Sequence, residues 1–566
     1  MAARAPTTMP ASRPAHAASW ALRAVPWGNA RRRSGPPVLV LLAALACLPA
    51  PLPAADTGQL ACRTTEECAA QAARIGAAAP MPQATANTTS RRDQAEDAFY
   101  WIGRINKASC VMLVEQKILD RELGRTIARG VAQSIEQAGR PGGKRPGDVL
   151  QVERIITDAI GPEGSLIHAG RSRQDMYATW RAARLRTQVL DYADALDALR
   201  ERLLVLARRN VHTLVPAYTN GVQAQPVSFA HYLLAYADSF ARDAERIRQL
   251  YACLNRSAMG TAVLANSSWP LDRARMAELL GFDGIVENSL DASQVSPSDL
   301  GLEAAGIPAS GAIRLGAMLA DIHTQYHQTR PWLLLDEGAT YTSSAMPQKR
   351  NPGLVMRARE AASNVVGLAQ TVTLRAHNVS TGMTDYKAAA AELGLYPQAV
   401  RMLAGAQATF DALSVNPQRS LEELEDDWTT SMDLAEVLQQ RHGVPFRVGH
   451  AFASGIVDYA RANGLRPRDF PYAKAQQLYA EALARFKLPD APLPLAQPQW
   501  RELLSPRHMV ESRVGIGGPQ PAEVERMLAR AEATLRADKD WMRQTRQRLA
   551  DADGRLDQAF ERLLAG

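Results

Sequence analysis

Cysteine is scarce in this chain, with five in 566 residues, and none has a second Cys or His at ligand spacing. A metal site is therefore not expected, and nothing in the residue pattern calls for another cofactor. Lysine and acidic residues are absent from residues 1–55, which hold six arginines. Setting those six aside leaves 59 basic against 58 acidic residues, so most of the formal charge of +7 belongs to one end and the body is nearly neutral. No basic stripe with interleaved aromatics occurs, which removes nucleic acid as an expected partner. Strand-like alternation is scarce and no internal repeat is found, so a mainly α fold is expected.

The basic end looks like an export signal. Arg31-Arg32-Arg33 precede an apolar run at 38–48, and small residues with prolines follow at 49–55, where cleavage would fall. The run is too short to span a bilayer comfortably, so a periplasmic chain with no membrane contact after cleavage is expected. The arginines suggest the twin-arginine route, although Gly-Pro-Pro follows where an apolar residue is usual, and the general secretory route stays open. Ala44 makes Cys47 a poor lipoprotein site. Cys62 and Cys68 are spaced for a local disulfide, with two free thiols as the alternative. Cys110 and Cys253 fall within helical apolar patterns and are expected to be buried.

Residues 56–95 read as a flexible tail rich in Ala, Thr and Pro, with regular structure starting near Asp93. Helical periodicity then dominates. Leu185, Val189, Tyr192, Leu196, Leu199, Leu203 and Leu206 alternate spacings of four and three, a heptad seam over three repeats. Phe229, Leu233, Tyr236, Phe240, Ile247 and Leu250 mark a second long helix, and Leu315, Leu319, Ile322 and Tyr326 a third. Narrow seams on long helices predict a bundle. Composition shifts divide the chain into an N-terminal helical domain at 96–165, a central bundle at 166–415, a C-terminal helical domain at 416–535 and a charged helical extension at 536–566.

The densest chemistry lies in Ser343-Ser344-Ala345-Met346-Pro347-Gln348-Lys349-Arg350-Asn351-Pro352. Two hydroxyls, a cation and an amide gather where Pro352 is placed to open a helix and Asn351 to cap it. Free helix amides beside a cation suit an anionic substrate. The segment resembles the signature loop of the argininosuccinate lyase/fumarase superfamily, Ser-Ser-x-Met-Pro-x-Lys-x-Asn-Pro, and similarity to argininosuccinate lyases extends over about residues 95–530. His168-Ala169-Gly170-Arg171-Ser172-Arg173-Gln174-Asp175 resembles that family's first substrate motif; Ser172 is a plausible N-cap with Asp175 three residues on. Residues 216–226, with Thr219, Asn220 and Gln225, resemble the second. The resemblance implies a three-domain fold whose central bundle forms a homotetramer core, with each active site shared among subunits. It also implies substrate binding by Ser172, Arg173, Gln174, Thr219, Asn220, Gln225, Ser344, Asn351 and Tyr386, with the carboxylates held by Ser172, Arg173, Thr219, Gln225 and Asn351. In the family's reaction a base removes a proton beside a carboxylate and fumarate forms as the amine leaves. Ser343 is the expected base and Lys349 the cation that activates it.

Several departures bear on substrate. Asn220 stands where the family has a His, and Met356 where that His has its acidic partner. Asn cannot titrate, so it cannot act as a general acid. Gln174 replaces an Asn and Thr342 a Gly. After Tyr386, the polar residues that would hold an arginine moiety become Lys387-Ala388-Ala389-Ala390-Ala391. These substitutions predict an exported carbon–nitrogen lyase acting on a small anionic substrate, an N-substituted aspartate or aminopolycarboxylate. The alternatives are a catalytically retired dicarboxylate-binding homologue and a true argininosuccinate lyase.

Overall fold

The computed structural model describes residues 96–566. The expected signal, the tail, and Cys62 with Cys68 lie outside the described residues. Among the described residues the first helix begins at Ala98, where Asp97 accepts a hydrogen bond from the Tyr100 amide and starts it; the start expected near Asp93 lies outside the described residues. Numbering the longer helices only, α1 (Ala98–Glu115), α2 (Arg121–Gly139) and α3 (Val149–Ile160) each begin behind such an aspartate cap, the latter two on Asp120 and Asp148. They bury Ile105, Leu113, Ile127 and Ile156 in a common core.

The central bundle contains α4 (Arg173–Arg209), α5 (Phe229–Leu254), α6 (Ser296–Gln325), α7 (Gly353–Ala376) and α8 (Leu395–Asp411). All seven heptad-seam residues of α4 are buried in its core, as are Phe229, Leu233, Phe240, Ile247 and Leu250 of α5. A buried ionic network crosses it. Arg200 donates to Asp197 at 2.8 Å and to Asp538 at 2.7 Å, and Arg248 also pairs with Asp538. Burial pushes the Asp197 carboxyl up to about 6; Arg200 pulls it back, and Asp538 adds to the rise.

The C-terminal helices α9 (Ser431–His442), α10 (Phe446–Asn463) and α11 (Tyr472–Arg485) enclose a third core, rich in edge-on aromatics. Phe452 meets Tyr479 at 5.5 Å and Trp428 meets Phe470 at 5.5 Å. The division expected at 535/536 falls inside one continuous helix, α12 (Pro521–Ala565). Its first half packs Val524, Leu528 and Leu535 into the central core, and its last turns pack Leu556, Phe560 and Leu563 into the N-terminal one. A 45-residue helix reaches about 65 Å, enough to serve both. The high charge noted at 536–566 is the outer face of an amphipathic helix. Cys110 is buried, and burial pushes its thiol up to about 12; Cys253 is exposed, contrary to expectation.

Helix α6 contains Pro308 in mid-run. Proline has no amide hydrogen, so the Ala304 carbonyl four residues earlier loses its helical donor. The buried Tyr396 hydroxyl supplies one at 2.7 Å. Tyr396→Phe should therefore leave a buried carbonyl unpaired and lower unfolding free energy by about 1–3 kcal/mol. Urea unfolding of the two proteins side by side checks this, and equal midpoints would remove the assigned role.

Candidate functional site

The first motif opens α4. Ser172 is its N-cap: the Ser172 hydroxyl oxygen accepts from the Gln174 amide at 3.1 Å and the Asp175 amide at 3.5 Å, while Asp175 Oδ1 accepts from the Ser172 amide at 2.9 Å. That capping box was legible in the sequence, and it occupies two amides at the start of the helix. Asp175 then does something local spacing does not reveal. Its Oδ2 accepts from the amides of Gly260, Thr261 and Ala262 at 3.1, 3.1 and 3.2 Å. Burial pushes this carboxyl up against the pull of those amides and Arg171. The loop it gathers holds Ala262 at φ +44° and Val263 at φ +77°. A β-branched residue in the left-handed region is strained, and such strain persists only where surrounding bonds impose it. Arg171 is buried on Asn106 and Ser109, whereas the Arg173 side chain is half exposed, 4.0 Å from Asp148. Of the two, Arg173 is free to meet a ligand.

The second motif is a hairpin, β1 (Leu214–Thr219) and β2 (Val222–Ser228). Asn220 at φ +53° and Gly221 at φ +77° form its two-residue turn. Asn-Gly with both φ positive is the favoured type I′ connection, so Asn220 has a local conformational role where the family has His. Thr219 and Asn220 are exposed at the tip, and Gln225 is half-buried with its amide on Met432 Sδ. The Asn-Gly pair was the available signal for this hairpin within an otherwise helical pattern.

The signature loop is closed by a short ladder in which Tyr341–Thr342 pairs with Arg350–Asn351. Asn351 donates to the Tyr341 carbonyl at 3.2 Å, so it ties the loop base and does not cap α7. That helix starts at Gly353 behind Pro352 with no side-chain cap. Its first amides are left available. The Ser343 hydroxyl oxygen accepts from the Ala345 amide at 3.3 Å and the Met346 amide at 3.1 Å. Ser344 and Lys349 are exposed; the Lys349 backbone is held in the loop by Ser343 and Met346, while its ammonium makes no hydrogen bond or ion pair among the described residues. Met356 is 47% exposed in a groove of about 650 Å³ with His323, Arg359 and Glu360. Its surroundings mix these charged groups with apolar ones, Ile313 and Val366 among them. Burial, Arg359 and His327 hold the His323 imidazole below its ordinary pKa.

Within one protomer these groups divide between two ends of the bundle. Ser172, Arg173, Gln174 and Tyr386 lie at one end; Tyr386 donates to the Gln294 carbonyl, just before α6, at 2.6 Å. The hairpin and signature loop lie toward the other end, where Gln325 closes α6 against Trp332 and His323 meets Arg359 of α7. The 37 residues of α4 separate the ends by about 55 Å. Ten residues of extended chain from Arg209 to Thr219 recover at most about 35 Å even if folded straight back. Ser172 and Thr219 therefore cannot hold one small substrate within a single chain. Among the described residues, no cluster of three or more His, Cys, Asp or Glu could hold a metal ion, and no helix is long and apolar enough to cross a membrane.

Residues 144–367 match a lyase family profile and residues 428–511 the argininosuccinate lyase C-terminal profile. Argininosuccinate lyase of Haloarcula marismortui is 30% identical over 476 residues, covering 81% of this chain and 90% of that protein. That of Leptothrix cholodnii is 33% identical over 446 residues, covering 76% and 90%. The chain belongs to the argininosuccinate lyase family. An EDDS lyase crystallised with formate superposes with a TM-score of 0.75 at 28% identity, covering 87% of this chain and 98% of that one. This family member is a carbon–nitrogen lyase with the mainly α fold of the fumarate lyase superfamily.

Asp175 is the residue of this site that sequence reasoning valued only as a cap, since its second set of contacts lies about 85 residues away. Asp175→Asn should lose acceptor capacity on one oxygen and leave buried amides unpaired, lowering stability by about 1–3 kcal/mol. It should also raise KM more than it lowers kcat, because the loop that Asp175 ties to the first motif relaxes. Unfolding and steady-state kinetics on the same preparation check this; unchanged KM would remove the loop from substrate binding.

Proposed function

We propose that the protein is exported and eliminates an amine from an N-substituted aspartate or related aminopolycarboxylate, releasing fumarate, in a homotetramer whose sites draw on several protomers. The observation that carries this is the Ser343 hydroxyl oxygen at the focus of two backbone amides. A serine removes a carbon-bound proton only as an alkoxide, and amides converging on the oxygen stabilise that charge. Lys349, exposed and unpaired, adds positive potential for the alkoxide and for the aci-carboxylate formed when the proton leaves. The open start of α7 offers further amides to a carboxylate. Arg173 on a second protomer and Thr219 with Gln225 on a third would hold the remaining oxygens of the succinyl half.

Asn220 and Met356 leave the departing nitrogen without the family's acid pair. Elimination remains feasible where the nitrogen is already protonated before it leaves, as for a simple ammonium. The relatives' own name favours a second reading, cleavage of argininosuccinate. The run Lys387-Ala388-Ala389-Ala390-Ala391 speaks against it, since it offers little polar surface to an arginine chain.

Fumarate absorbance separates these readings in a panel of N-substituted aspartates with argininosuccinate included, run forward and, with fumarate plus amines, in reverse. Turnover of N-substituted aspartates above argininosuccinate is expected. No fumarate formed or consumed by assembled protein would contradict the activity. Ser343→Ala should lower kcat by at least about 10²-fold while leaving assembly and substrate binding intact. Normal turnover in that variant would remove Ser343 as the base.

A further inference from the structure

Beside Tyr386 the bundle encloses a cavity of about 60 Å³, between the first turns of α4, the end of α5 and the start of α6. Alanines, including Ala388, Ala390 and Ala391, supply much of the wall. The charged side chains that line it are Arg181, Arg256 and Lys387, three positive charges with no acid among them. Lys387 is 6% exposed. Its ammonium donates to Gln294 Oε1 at 2.6 Å and to the Gly382 carbonyl at 3.1 Å, both neutral acceptors, and no carboxylate pairs with it among the described residues. An ammonium has three donors, so one is left over. Arg181 lies over the Tyr177 ring at 5.8 Å, and its buried Nε has no hydrogen-bond partner. Glu392 acts on Arg181 electrostatically but is exposed and does not line the cavity.

Buried cations are normally paired, because desolvating a charge without a counter-ion costs several kcal/mol. Here the buried Lys387 and the partly buried Arg181 face one small space and repel each other: burial first, and then the Arg181 charge, lowers the Lys387 pKa. An arrangement that is unfavourable when empty is favourable when an anion enters. The planar guanidinium and the ammonium match a carboxylate in size and donor geometry.

We propose that this cavity receives a carboxylate carried by the leaving amine, bound between Lys387 and Arg181. The departing group is then an aminocarboxylate, selected by charge at the end remote from the succinyl half. This rests on the elimination proposed above and specifies its substrate class. A leaving group ending in a neutral or cationic function would place nothing against Lys387 to offset its burial.

The test compares N-(carboxymethyl)aspartate with N-(2-hydroxyethyl)aspartate, which differ in charge at that end, by fumarate release. The wild type should prefer the first at least tenfold in kcat/KM. Lys387→Met removes a buried unpaired charge, so the variant should fold; it should bring the two substrates to within about twofold, with Lys387→Arg restoring part of the preference. No preference in the wild type, or equal losses on both substrates in Lys387→Met, would overturn the proposal. If no N-substituted aspartate is turned over, the elimination has failed by itself and the cavity is read without turnover. Thermal unfolding of the wild type in acetate against matched chloride reads it, because an anion bound only by the folded state raises Tm. Stabilisation by acetate that Lys387→Met abolishes supports the carboxylate site; no stabilisation beyond chloride overturns it.

Discussion

The length of α4 is the constraint on which the rest depends. A helix of 37 residues is rigid over about 55 Å, and its heptad seam cannot be shortened without losing the central core. It holds the first motif at one end of the bundle and the hairpin beyond the other. Chemistry that needs both within a few ångströms must therefore find one of them on another chain. The same helices that separate the motifs leave an open groove between α6 and α7, lined by Ile313, Gly316 and Met356. Bundle geometry and site assembly are in this sense one problem.

The ends of the bundle are organised by different interactions. At the first, one buried carboxylate caps α4 and gathers three consecutive amides into a strained loop, so that backbone order is imposed by a single charge. At the second, order comes from a two-rung ladder that closes the signature loop and directs amides onto the Ser343 oxygen. The lysines at the two ends differ in the same way. The Lys349 ammonium is exposed to solvent, whereas that of Lys387 is fixed by two neutral acceptors. A solvated charge contributes at long range; a desolvated one discriminates.

Much of this was legible in the sequence where contacts are local. The seam from Leu185 to Leu206 predicted its own burial, because periods of three and four put those side chains on one face. The Ser172–Asp175 box is also local. What escaped was long-range or partitioned within a residue's environment. Nothing near Asp175 announces Gly260, and nothing in the charged surface of α12 says which narrow face joins two cores. Cys253 lies on an apolar helix yet faces outward, since periodicity gives a face only to within a residue or so. Asn351 was misplaced as a cap for a related reason: its side chain found the Tyr341 carbonyl, a contact set by the fold of the loop.

The claim that the site is completed between protomers is tested most directly by mixing two inactive chains. Ser343→Ala and Arg173→Ala proteins, each expected to lose turnover alone, are co-expressed with distinguishable tags, and fumarate release is measured on the mixed assemblies. With random mixing, a site that takes Ser343 and Arg173 from different protomers is intact in about a quarter of cases, so about a quarter of wild-type activity should return. If each chain built its own site, every site in the mixture would carry one defect. Mixed assemblies no more active than the single variants would contradict the account.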